Sequence, residues 1–218
     1  MTQPDPTVTG EVRRMSSAIT TARIETLTDG VFAIVMTVLV FDIRVPVQEQ
    51  VDQLGLLHAL SLLAPNLLSY VITFVILGVF WVGHHNQYFY IRRADRSLLW
   101  INIFFMMAVA LLPFSAGVFS RYGQDRVSIM VYNANLILAG LILFVHWWYA
   151  TRDNHLLSHE IEPQVRHLVY RRILTPPVLY LVAIVVSLVN VEVSVIIDIL
   201  VPLIYVLPNQ VDRLFRRG

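Results

Sequence analysis

The sequence predicts an all-α membrane protein with six transmembrane helices per subunit and both termini cytoplasmic. Composition is the first observation behind this prediction. Hydrophobic residues make up 56% of the 218 residues and charged residues only 14%, with a mean hydropathy of +0.65. An ordinary soluble domain carries about a quarter charged residues. The other two observations are the lengths of the apolar stretches and the distribution of the arginines.

Six apolar stretches run along the chain, at about 24–44, 58–82, 97–119, 128–150, 173–190 and 193–208. A bilayer core needs about 20 mostly apolar residues in a helix, and each of the first four is long enough. The last two form one tract, broken only at Asn190-Val191-Glu192, which is too long for a single crossing. We therefore expect a hairpin of two short spans, opened by Pro176-Pro177 and kinked at Pro202.

The arginines predict the orientation of these spans. All 16 basic residues are arginine, and basic residues are enriched in cytoplasmic loops. With the N-terminus inside, only Arg44, Arg121 and Arg126 fall on the outer side, so both termini are expected to be cytoplasmic. The expected organisation is a flexible N-terminal tail at 1–20, one six-helix transmembrane domain at 21–210 and a basic C-terminal tail at 211–218.

Several functional classes are disfavoured. A net charge of +1 gives no electrostatic basis for binding nucleic acid, and the absence of cysteine removes disulfides and thiolate metal sites. The sequence has no nucleophile elbow, His-Glu-x-x-His or Walker loop, so an enzyme is not expected. His155 and His159 have a spacing that suits a metal on a helix, but without a third ligand we interpret them as part of a solvated loop.

The first apolar stretch carries charges inside its expected span. Arg23, Glu25 and Asp29 precede the uncharged run from Gly30 to Phe41. Charged groups at membrane depth cost several kcal/mol unless they are paired or hydrated. Their presence therefore indicates a functional helix rather than a simple anchor.

One face of this helix is apolar. Ile34, Val38 and Phe41 fall at i, i+4 and i+7, and Thr37 lies beside them. Around a shared axis they would form apolar rings that gate by dewetting, with the Thr37 hydroxyls as a ring of oxygen ligands. Almost every membrane helix shows such a face where it packs against lipid or other helices, so periodicity alone favours packing and leaves the pore as the alternative.

Three segments resemble the TMEM175 family of potassium-permeable channels. The first-helix signature of that family is Arg, three residues and Phe-Ser-Asp; here it stands as Arg23 followed by Leu27-Thr28-Asp29. Leu27 and Thr28 keep the apolar and hydroxyl character of the residues that they replace. The other two similar segments are Trp81-Val82-Gly83-His84-His85, and Leu99-Trp100-Ile101-Asn102 followed by Leu112-Pro113-Phe114.

The resemblance implies a homotetramer in the plasma membrane of a prokaryote, with the first helices lining a central pore. It places the narrowest point at Ile34, extends the constriction through Val38 and Phe41, and makes Thr37 the polar layer that favours potassium over sodium. Potassium would permeate passively, and no cofactor is expected beyond this permeant ion. Phe41 is bulkier than the aliphatic residue usual there, which argues against a wide pore.

Polar residues of the three segments are expected to form an interhelical network. Arg23 would lie at the cytoplasmic rim, whereas Asp29 would meet His84 or His85 and Asn102. A carboxylate buried against an imidazole would make the network sensitive to pH near neutrality. Two other functions stay open: a proton- or cation-coupled secondary transporter using Asp29 and His84, and a membrane scaffold in which these groups only hold subunits together.

Two further groups lie outside these segments. Asp198 falls within the last span, where we expect it to pair with Tyr180 or Asn190 or to lie near the outer interface. His146-Trp147-Trp148-Tyr149 is typical of the aromatic belt at a membrane interface.

Overall fold

A computed structural model describes residues 21–154, 156–157 and 161–206. The tails predicted at 1–20 and 211–218, and the pair His155 and His159, lie outside these described residues. Within the described ranges the chain forms nine α-helices: α1 Thr21–Val38, α2 Gln48–Leu54, α3 Leu56–Ser61, α4 Ala64–Tyr90, α5 Arg96–Ala110, α6 Leu112–Tyr122, α7 Arg126–Thr151, α8 Pro163–Ser187 and α9 Val191–Val206.

Five helical segments of the described chain are long and apolar enough to cross a membrane. They are Thr21–Asp42, Leu56–Tyr90, Arg96–Tyr122, Arg126–Thr151 and Pro163–Ser187. The sixth predicted stretch corresponds to α9, whose 16 residues extend about 24 Å at 1.5 Å per residue. A short turn that ends at Asn190 separates α8 from α9, at the break that the sequence predicted.

Two spans depart from a continuous α-helix. The α-helix of the first span ends at Val38 and tightens into a 3₁₀ turn at Leu39–Asp42, so it is shorter than predicted. The third span is interrupted between α5 and α6 at Leu111. Pro113, in the first turn of α6, has no N–H to continue the preceding hydrogen-bond ladder.

The prediction that Pro176-Pro177 begins a helix is wrong, because α8 already starts at Pro163 and contains both prolines. Pro176 cannot donate to the carbonyl of Arg172, four residues earlier. The Tyr205 hydroxyl of α9 donates to that carbonyl instead, at 3.0 Å. The neighbouring Pro177 ring packs against Gly140 of α7, where a Cβ would lie 2.6 Å from its Cγ. Tertiary contacts thus accommodate both prolines inside the helix.

The core is centred on α7, and α1 lies at its side. Tyr132, Leu136, Ala139, Leu143 and Trp147 of α7 are all buried. This helix packs against α5, α6 and α8, whereas α1 packs against α4 and α5. Among the described elements, the first helix is therefore packed on one side only.

One end of the bundle carries most of the described arginines. A buried cluster joins Ile24 of α1, Tyr88 of α4, Leu98 of α5 and Ala150 of α7 at this end, and the Tyr205 contact brings α9 to it. We call it the arginine-rich end, after Arg23, Arg92, Arg93, Arg96, Arg152, Arg166, Arg171 and Arg172.

Candidate pore helix

The two sides of α1 have different surroundings. Ile24, Thr28, Phe32 and Val35 are buried, at spacings of three or four residues that place them on one face. This face packs against α4 and α5. The opposite face is exposed, with Leu27 and Ile34 at 55% and 65% exposure. The described part of one subunit therefore leaves about half of α1 uncovered.

The residues predicted to form the constriction lie on this uncovered face. Ile34 and Val38 belong to α1, whereas Phe41 lies in the 3₁₀ turn and is 77% exposed. The tighter winding of that turn changes the direction of Phe41 relative to an uninterrupted α-helix. Asp42 anchors the turn, because its Oδ2 accepts a hydrogen bond of 2.6 Å from Ser120 Oγ of α6.

Thr37 lies on the same exposed side. Its hydroxyl donates within its own helix, to the carbonyl oxygens of Ala33 at 3.0 Å and Ile34 at 2.8 Å. Because the single hydroxyl proton is used there, the oxygen lone pairs are left to accept. An oxygen of this kind can coordinate a cation that passes the exposed face.

Thr28, Asn102 and His84 form a buried hydrogen-bonded chain across three helices. Asn102 Nδ2 of α5 donates to Thr28 Oγ1 of α1 at 3.0 Å, and Asn102 Oδ1 lies 2.8 Å from His84 Nε2 of α4. All three side chains are at most 2% exposed. Three of the residues expected in the polar network therefore lie together in the structure. Their hydrogen bonds link the buried face of α1 to α5 and α4.

Asp29 has a different partner from the one expected. Its Oδ1 accepts a hydrogen bond of 2.8 Å from Trp81 Nε1 of α4, and not, within the described chain, from His84 or His85. Successive residues on an α-helix differ in direction by about 100°, so burial of Thr28 leaves Asp29 exposed. The direct carboxylate–imidazole hydrogen bond expected in the network is therefore replaced by a carboxylate–indole bond.

The remaining motif residues occupy the edge of the network. His85 is exposed and stacks on Trp81, with ring centroids 5.7 Å apart. Arg23 lies exposed in the first turn of α1, at the arginine-rich end.

Sequence reasoning missed a second polar group, centred on His146. This residue was expected in an interfacial belt, but it is fully buried in α7. Its Nδ1 lies 2.6 Å from Gln87 Oε1 and its Nε2 lies 3.1 Å from Tyr88 Oη. A signal was available, because His146 follows Leu143 by three residues on the buried face of α7.

Asp198 also differs from its expected environment. It is fully buried, and its Oδ2 accepts a hydrogen bond of 3.1 Å from Asn133 Nδ2 of α7. The expected pairing with Tyr180 or Asn190 is replaced by this contact with a helix that is distant in sequence.

Comparison with known proteins identifies relatives that cover most of this chain. A family model described as endosomal/lysosomal potassium channel TMEM175 matches residues 23–113. A protein named potassium channel from Chamaesiphon minutus is 34% identical over 179 residues, covering 80% of this chain and 88% of that protein. Another of that name, from Streptomyces collinus, is 35% identical over 144 residues, covering 64% of this chain and 69% of that protein.

A solved structure and an animal protein extend the comparison. The crystal structure of a lysosomal potassium-selective channel TMEM175 homologue from Chamaesiphon minutus has a TM-score of 0.77 and 30% identity, covering 85% of this chain and 96% of that chain. A chicken protein named endosomal/lysosomal proton channel TMEM175 is 31% identical, but the match spans only 30% of that protein. Together these findings confirm the predicted resemblance: this chain belongs to the TMEM175 family.

Proposed function

We propose that this protein is a passive, potassium-permeable cation channel of a prokaryotic plasma membrane, a homotetramer in which four copies of α1 surround one pore. The observation that carries the proposal is the composition of the uncovered face of α1. It places Asp29 and Thr37 beside Ile34 and Val38, all exposed in the single subunit. Carboxylate and hydroxyl groups are unfavourable against lipid but favourable beside water and cations.

The same face would provide both a gate and a preference for potassium. In a symmetric assembly, Ile34, Val38 and Phe41 recur as apolar rings, and narrow apolar rings close a pore by excluding water. The Thr37 oxygens would replace part of the hydration shell of a dehydrating cation. The bacterial relatives named potassium channels support this choice of ion.

We further propose six spans with both termini cytoplasmic, so that α9 crosses as the sixth helix. Its length is close to the bilayer core of about 30 Å, and local thinning can accommodate the difference. The arginine-rich end would face the cytoplasm. In this arrangement residues 21–210 form the channel domain, with the segments 1–20 and 211–218 as cytoplasmic tails.

The coupled-transporter hypothesis is less well supported. It required Asp29 and His84 to act together on a proton or cation. Asp29 bonds to Trp81, whereas His84 belongs to the buried chain through Asn102. Passive permeation along the exposed face does not need these two side chains to communicate.

The decisive experiment compares potassium and sodium flux in liposomes that hold the purified, assembled protein. We expect flux down the gradient of each ion, faster for potassium, and independent of any proton gradient. Flux that stops when the proton gradient is collapsed would support the transporter instead. Assembled protein without any flux would support the scaffold.

A further inference from the structure

A cavity of about 620 Å³ lies between α4, α7, α8 and α9. Its volume is within the range of about 300–1,000 Å³ that is typical of small-molecule sites. Most of its wall is apolar, with Val75 and Val79 from α4, Leu143 from α7 and Pro177 from α8. A cavity of this kind suits a hydrocarbon chain.

One positive charge lies in the wall of this cavity. Among the described residues that line it, Arg172 carries the only charge. This guanidinium makes the polar part of the site complementary to an anionic ligand.

Arg172 lies toward the arginine-rich end. Arg172 follows the start of α8 at Pro163 by nine residues, or about 14 Å at the α-helical rise. Arginine at such a depth can extend its guanidinium toward the headgroup region while its stem contacts apolar surface. Guanidinium groups bind phosphate oxygens in a fork geometry.

We propose that this cavity is a binding site for an anionic phospholipid of the surrounding bilayer, with an acyl chain between α4, α7 and α8 and the phosphate at Arg172. The complementary charge of Arg172 favours this occupant over a neutral lipid or an apolar helix from a second copy.

The bound lipid would touch side chains that connect to α1. Trp81 lines the cavity and donates to Asp29. Gln87 lines it as well and accepts from His146, whose ring lies 5.6 Å from that of His84. Occupancy would therefore support the position of the pore helix. This effect on flux rests on the proposed channel function, whereas lipid binding does not.

The test is the amount of phosphatidylglycerol that the full-length protein retains from mixed phosphatidylglycerol and phosphatidylcholine bilayers, counted per subunit by native mass spectrometry. Arg172→Gln should lower retention about fivefold, since each basic residue near an anionic surface contributes about 1 kcal/mol. Val79→Trp should lower retention by filling the cavity. Matched controls are Arg171→Gln, the adjacent arginine outside this cavity, and Val71→Trp, which is exposed on the same helix; both should retain lipid as the wild type does.

Equal retention by Arg172→Gln, Val79→Trp and the controls would overturn the proposal. It would assign the cavity to another occupant, such as a second copy or residues 207–218. Equal loss in both arginine variants would also overturn it, because it would show general attraction to charge. If Arg172→Gln and Val79→Trp lose lipid selectively but the wild-type protein carries no flux, the lipid site stands and the channel is rejected. If the wild-type protein conducts but both variants retain lipid as it does, the channel stands and the lipid site is rejected.

Discussion

Helices α1 and α8 each have a face that no described part of the subunit covers, yet the chemistry of the two faces differs. Val178, Leu181, Val182 and Val185 of α8 are exposed, and all are aliphatic. The face of α1 combines Ile34 and Val38 with Asp29, Gly30 and Thr37. Exposure alone is therefore no mark of a pore, because any helix that contacts lipid shows it. Polar side chains interleaved with apolar ones distinguish the surface that we propose to meet water and ions.

The largest effect should come from making the exposed face of α1 polar, while the same change on the exposed face of α8 should have little effect. Ile34→Asn would hydrate the proposed constriction and is expected to raise potassium flux in liposomes at least about tenfold, as the barrier to wetting falls. Val185→Asn makes a matched change on the face of α8 and should leave flux per assembled protein near that of the wild type. A decrease of flux in Ile34→Asn would contradict the gate and favour a transporter that has lost turnover.

The second prediction concerns the buried face of α1. Thr28→Val removes the acceptor of Asn102 Nδ2 and should lower the free energy of unfolding by about 1–3 kcal/mol, the cost of an unsatisfied buried group. Thr26→Val makes the same change on the exposed side of the helix, where the hydroxyl bonds only to the carbonyl of Ala22, and should cost much less. Unfolding of both variants in detergent measures the difference; equal losses would argue against the buried chain.

The smallest effect should be on ion preference. Thr37→Ala removes the proposed oxygen ring and is expected to lower the potassium-to-sodium flux ratio roughly fivefold, the equivalent of about 1 kcal/mol. The assembly should stay intact, since the Thr37 hydroxyl bonds only within its own helix. The readout is the ratio of the two fluxes, with Thr26→Ala as control. An unchanged ratio in folded Thr37→Ala protein would remove Thr37 from selectivity.

Features that depend on local chemistry could be predicted from the sequence. The break at Asn190 and the polar character of the first helix follow from residue order alone. The common face of Ile34 and Val38 likewise follows from helical spacing. The resemblance of Arg23 and Leu27-Thr28-Asp29 to a known signature added the family, which the comparisons confirm.

Features that depend on the rotation of one helix against another could not be predicted. The choice of Trp81 over a histidine as partner of Asp29 depends on how α4 is turned against α1. The contact between Asn133 and Asp198 has the same origin. The carbonyl of Arg172, to which Pro176 cannot donate, accepts instead from Tyr205, a residue distant in sequence.

The central claim is that potassium passes between copies of α1, and a cysteine at Ile34 tests it most directly. The chain contains no cysteine, so Ile34→Cys and Val182→Cys each introduce a single thiol. Several thiolates around one axis bind soft metal ions such as Cd²⁺ tightly. We predict that Cd²⁺ blocks potassium flux through Ile34→Cys and leaves Val182→Cys unaffected. Conducting Ile34→Cys protein that Cd²⁺ does not block, or block of Val182→Cys, would contradict the claim.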